Sequence, residues 1–107
     1  MNWQRRVAAF ARSHGLLHDP ATHALDLASE VGEVAKGVLE ATDYGRRPFR
    51  PEPGLAAEMG DALYSLLTLA EACGVDADQA LEAALAKYEH RLAQRGDAGS
   101  GDVERRT

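Results

Sequence analysis

The sequence predicts an all-α fold, a four-helix, bundle-like domain completed by homo-oligomerisation. Alanine, leucine and glutamate dominate its 107 residues, and strand-forming residues are sparse. Apolar residues recur three and four positions apart through four stretches, the period of one helix face. Each stretch is bounded by residues that start or stop helices. The length suits one domain with a modest core, expected over residues 1–95, with a disordered glycine- and charge-rich tail over 96–107.

The first helix is expected from Asn2 to His14. Trp3, Val7, Phe10 and Ala11 share its apolar side, Asn2 is placed to cap it and Gly15 to end it. Trp3 and Phe10 read most simply as core contacts, with contact to a bound ligand as the alternative. Asp19-Pro20 opens the second helix, which should run to about Ala41 with Leu27, Val31, Val34 and Val38 as its apolar stripe. Thr42 to Gly54 breaks the period with Pro48, Pro51 and Pro53 and carries Arg46, Arg47 and Arg50 around Phe49. It reads either as a solvated connection or as a flap whose arginines meet phosphate oxygens.

The third helix should run from Leu55 to Cys73 or Gly74. Leu55, Met59, Ala62, Leu66, Leu69 and Cys73 form its main stripe, and Leu63, Leu67 and Ala70 widen it. A helix apolar on most sides is buried on most sides, so burial against a second subunit is expected. Asp76 to Gln79 resembles a capping box opening a fourth helix, which Gly96 ends. Lys87 and Arg91 share one side of it.

Within this helical frame one octapeptide occurs twice. Leu27-Ala28-Ser29-Glu30-Val31-Gly32-Glu33-Val34 returns as Leu55-Ala56-Ala57-Glu58-Met59-Gly60-Asp61-Ala62. Each copy holds two carboxylates three positions apart, on one helix face bordering the apolar stripe. With 17 acidic residues, roughly two or three such pairs arise from composition alone. Glu40 and Asp43 form another, to which no role is assigned. The repeated context separates Glu30/Glu33 and Glu58/Asp61 from that background. Both copies accept a mid-helix glycine, costing about 1 kcal/mol relative to alanine, which points to close approach by another helix at Gly32 and Gly60. Two such helices laid antiparallel would gather four carboxylates, which need a hard cation to stay ionised together. Oxygen-only ligands favour Mg²⁺, with Mn²⁺ as a substitute, over zinc. His14, His18 and His23 do not form a zinc site, because Gly15 and Pro20 break any common face; they read as loop or surface residues.

Composition narrows the partners. A net charge of −5 argues against a nucleic-acid polymer. The single cysteine, Cys73, excludes an internal disulfide. No apolar run suits a membrane span or a signal peptide, so no membrane partner and a cytoplasmic location are expected.

From about Leu25 to Arg91 the chain resembles the MazG-like all-α nucleoside triphosphate pyrophosphohydrolases. The resemblance rests on Glu30-Val31-Gly32-Glu33, on Glu58-Met59-Gly60-Asp61 with its extension Ala62-Leu63-Tyr64, and on Lys87-Tyr88-Glu89-His90-Arg91. It implies a Mg²⁺-dependent enzyme of dimeric or tetrameric assembly that cleaves a nucleoside triphosphate to monophosphate and pyrophosphate, in nucleotide-pool house-cleaning. Glu30, Glu33, Glu58 and Asp61 would be its metal-binding and catalytic residues, and Lys87 and Arg91 its phosphate contacts. Trp3, Arg46 and Arg47 are further candidates for substrate contact. Ala84 departs from the pattern, since many relatives carry asparagine three positions before the lysine. Phosphoribosyl-ATP pyrophosphohydrolase is the nearest alternative enzyme, and a non-catalytic helical dimer binding nucleotide or protein is the alternative of another class.

Overall fold

A computed structural model describes residues 2–96, so the expected tail from Asp97 onward lies outside the described residues. Among those described there are four helices and no strand: α1 Trp3–Ser13, α2 Pro20–Ala41, α3 Leu55–Ala72 and α4 Ala77–Arg95. None is long and apolar enough to cross a membrane. The chain divides between Val75 and Asp76 into two units, the first holding α1 to α3 and the second α4.

Side chains near the helix ends satisfy backbone groups that the helices leave open. The Asn2 carboxamide oxygen accepts from the Arg5 amide, Asp19 from Thr22 and Asp76 from Gln79. Gly96 closes α4 in the left-handed region at φ 79°. The link between α2 and α3 has no regular element. It turns through Asp43, Tyr44 and Gly45, all at positive φ, and Arg47 donates to the Ala41 and Glu40 carbonyls at 2.7 and 3.3 Å. That guanidinium therefore neutralises the carbonyl end of α2.

In the first unit α3 packs against both α1 and α2. The buried interior is built mainly from small side chains: Ala8 and Ala11 of α1, Ala41 of α2, and Ser65, Thr68 and Ala70 of α3, with Leu67 beside them. Small residues let the helices approach closely, and the large ones are left at the perimeter. Trp3 and Phe10 are thus not core residues; they are 63% and 51% exposed. The α3 stripe is displaced for the same reason. Met59 and Leu66 are exposed, whereas Ser65 and Thr68 face inward. The Thr68 hydroxyl is satisfied within its own helix, lying 3.1 Å from the Tyr64 carbonyl and 3.0 Å from that of Ser65.

Two further expectations change. His23 is buried, not a loop or surface residue, and its Nε2 accepts the His18 amide at 2.8 Å. The close helix approach occurs at Gly37, where a Cβ would stand 3.3 Å from Leu55 Cδ1. At Gly32 and Gly60 a Cβ would meet nothing within 4 Å. Neither glycine is explained by packing among the described residues.

Candidate metal centre

The pairing of Gly37 with Leu55, and of Glu30 with Glu58 and Asp61, shows that α2 and α3 run antiparallel. This direction brings the two copies of the octapeptide face to face. Glu30 from α2 and Glu58 and Asp61 from α3 each offer one carboxylate oxygen, and the three oxygens lie within 4.8 Å of one another. Glu30 and Glu58 are half-buried, and Asp61 is exposed.

Glu30 carries the electrostatic cost of the arrangement. Burial first, and then the charges of Asp61, Glu58, Glu33 and Asp26, push its carboxyl above the usual carboxylate range. A cation among these groups would reverse that pressure. Magnesium–oxygen bonds of about 2.0–2.1 Å place ligand oxygens about 2.9–4.2 Å apart on an octahedron, so small side-chain rotations would suffice to close the set. The donor chemistry, all carboxylate oxygen, fits a hard divalent ion.

Glu33 stands apart from this tight group. Three positions on from Glu30, it advances about 4.5 Å along α2, toward the start of α3. There it lines a second cavity of about 330 Å³ with Glu58, Glu40, Glu52 and Lys36. Glu58 belongs to both places, and Glu33 remains near enough for its charge to act on Glu30. Asp26, Glu30, Glu33, Gly37 and Glu40 follow one another at three- and four-residue steps on a single flank of α2. That register places Asp26 and Glu40 in the neighbourhood of the site.

Of the basic candidates, Arg47 is engaged by backbone carbonyls and also lies 4.0 Å from Glu52. Arg46 is largely exposed, 3.8 Å from Asp43. Lys87 and Arg91 lie on α4 in the second unit; Lys87 Nζ sits 5.3 Å from the Tyr88 ring centroid, and Arg91 is half-buried. Trp3 borders a cavity between α1 and α3.

A family model of the MazG nucleotide pyrophosphohydrolase domain matches residues 18–95. The chain belongs to the MazG family. The matched span takes in both acidic motifs and the Lys87–Arg91 segment, and α1 precedes it. Members of the MazG family are nucleotide pyrophosphohydrolases and are typically metal-dependent. Comparison with curated proteins and with solved structures returned no match.

Proposed function

We propose that this chain hydrolyses a nucleoside triphosphate at its α–β phosphate linkage, releasing a nucleoside monophosphate and pyrophosphate. The observation that carries the reading is the convergence of Glu30, Glu58 and Asp61 from two antiparallel helices onto one volume, inside a domain whose family acts on nucleotides. Glu30, Glu58 and Asp61 would hold Mg²⁺, or Mn²⁺ in its place, with Glu33 at the margin. When bound, the metal supplies charge neutralisation to the triphosphate and its leaving group.

The protein's own groups have distinct tasks in this scheme. Glu33 is the carboxylate left outside the tight group, and we assign it the orientation of the attacking water. The water oxygen bonds to the α-phosphorus as the bond to the β-phosphate bridging oxygen breaks, and the carboxylate accepts the water proton. Lys87 and Arg91 would meet phosphate oxygens, as the family pattern implies, and Arg46 is a further candidate for the same role. Phosphoryl transfer of this kind needs positioning and charge, which acids and bases on rigid helices provide, and no covalent nucleophile.

The same reading includes assembly as a dimer or a tetramer. Val31, Leu39, Met59 and Leu66 lie exposed on α2 and α3, and apolar surface of that extent is commonly covered by another copy.

The test is a panel of canonical and modified ribo- and deoxyribonucleoside triphosphates, with phosphoribosyl-ATP included, assayed with and without Mg²⁺. Pyrophosphate as the first product supports the proposal, and orthophosphate as the first product overturns the assigned bond. Saturable nucleotide binding without either product would favour a non-catalytic binding module.

A further inference from the structure

The link between α1 and α2, residues 14–19, is tied down at two points by its backbone amides. The Leu16 amide donates to the Ala11 carbonyl at 2.7 Å, across the turn that Gly15 makes at φ 67°. The His18 amide donates to His23 Nε2 at 2.8 Å. His23 is 3% exposed, and the His18 ring lies over it, with centroids 5.7 Å apart and planes at 27°. An imidazole that accepts at Nε2 is neutral and carries its one proton on Nδ1. A second proton would occupy Nε2 itself and turn the acceptor into a donor facing an N–H. The bond to the link cannot survive that change.

We propose that His23 is a proton-operated latch: neutral, it holds the α1–α2 link onto the first turn of α2, and protonated, it releases residues 14–19. The buried place offers a cation little water, so the charged ring gains by leaving it. The titratable neighbours act in both directions. Asp19, at the head of α2, acts on both imidazoles and attracts their charged forms, while its carboxylate also accepts the Thr22 amide. His18, once charged, repels a charged His23. On α1 and α3, His14 lies against Phe10, and Arg12 and Glu71 engage each other. Gln4 and Arg12 both donate to Glu71 and hold its carboxyl below the usual range. That tie is kept above the ordinary glutamate value and lost only as pH falls through the lowered one. Mild acid therefore opens the link and leaves α1 on α3.

The isotope-labelled full chain is studied by NMR at about pH 7.5 and about pH 5, on either side of the ordinary histidine value of about 6.5. Neither metal nor nucleotide is present, so the outcome is independent of the activity proposed above. At the higher pH the His23 ring should show the Nδ1–H tautomer in long-range proton–nitrogen spectra, and the His18 amide should be protected from solvent exchange. At the lower pH that protection, corrected for the intrinsic pH dependence of exchange, should fall about tenfold or more, the loss of one hydrogen bond. Amides within α1 and α3 should keep theirs. His23→Gln, whose side-chain oxygen accepts at either pH, should protect the His18 amide equally at both. His18→Ala keeps the backbone amide and removes the neighbouring ring, so the pH response should remain. An Nε2–H tautomer at His23 overturns the proposal, as does equal protection at the two pH values in the parent. So does a pH response that His23→Gln retains or His18→Ala abolishes. Simultaneous loss of protection across α1 and α3 also overturns it, because acid would then be unfolding the whole unit. Should His23→Gln fail to fold, the tautomer and the protection in the parent still decide.

Discussion

Replacing Glu30 by glutamine separates the stability of the fold from the demand of the acidic cluster. In the folded chain Glu30 is held above the usual carboxylate range by burial and by Asp61, Glu58, Glu33 and Asp26, whereas in the unfolded chain it titrates near about pH 4.3. The folded state therefore retains the proton over a window in which the unfolded state has lost it. Stability of the metal-free protein should fall as pH rises from the ordinary glutamate value through the raised one. Glu30→Gln removes the titrating group, so in chelator at pH 7.5 the variant should melt higher than the parent, with a flatter pH profile above the ordinary glutamate value.

Divalent metal should invert that order. A ligand at a hundred times its Kd contributes about 2.7 kcal/mol to the state that binds it. In a domain of this size each kcal/mol moves the midpoint by about 4–8 °C, so Mg²⁺ should raise the parent's melting temperature by about 10–20 °C. With one of the three clustered ligands replaced, the variant should gain only a small part of that. Thermal melts followed by circular dichroism, in chelator and in a Mg²⁺ series, measure both effects. If Glu30→Gln melts no higher than the parent in chelator, or if Mg²⁺ stabilises the two equally, the carboxylates do not form the coupled group described here.

Other perturbations test the frame around the site. Glu71 accepts from Gln4 and Arg12, which hold its carboxyl below the usual range. The stability it contributes is present above the ordinary glutamate value and is lost as pH falls through the lowered one; Glu71→Gln should cost about 0.5–1.5 kcal/mol at pH 7 in denaturant melts, after allowance for solvent screening. Leu67, 6% exposed, should cost about 2–5 kcal/mol when cut to alanine. Gly32→Ala should stabilise by about 0.5–1 kcal/mol, because the added methyl meets open space. Gly37→Ala should gain less than Gly32→Ala, because its methyl presses on Leu55. Equal gains at the two glycines would contradict the close α2–α3 contact.

The parts of this structure that local chemistry controls were legible before any coordinates. Asn2, Asp19 and Asp76 accept amides of the first turn, and Gly96 takes the left-handed cap, so α1, α2 and α4 could be placed to within a residue or two; α3, without a side-chain cap, was bounded by the proline-rich link before it and Gly74 after it. The facing of the two octapeptides was legible because a three-residue step keeps Glu58 and Asp61 on one side of their helix. What escaped depended on packing between helices. The interior took in Ala8 and Ala41 beside the expected Ala11 and Ala70 and turned Trp3 and Phe10 outward, because close approach leaves no room for large rings. Thr68 could face inward only because its hydroxyl finds carbonyls in its own helix. His23 took a buried place by accepting the His18 amide, which a search for shared helical faces does not examine.

The central claim is that Glu30, Glu58 and Asp61 share a divalent cation. Titration of the metal-free protein with Mn²⁺, with free ion followed by electron paramagnetic resonance, tests it most directly. Saturable binding is expected, weakened tenfold or more by Glu30→Gln, Glu58→Gln or Asp61→Asn and left nearly unchanged by Asp78→Asn on α4. Binding that is unsaturable, or equally insensitive to all four substitutions, would contradict it.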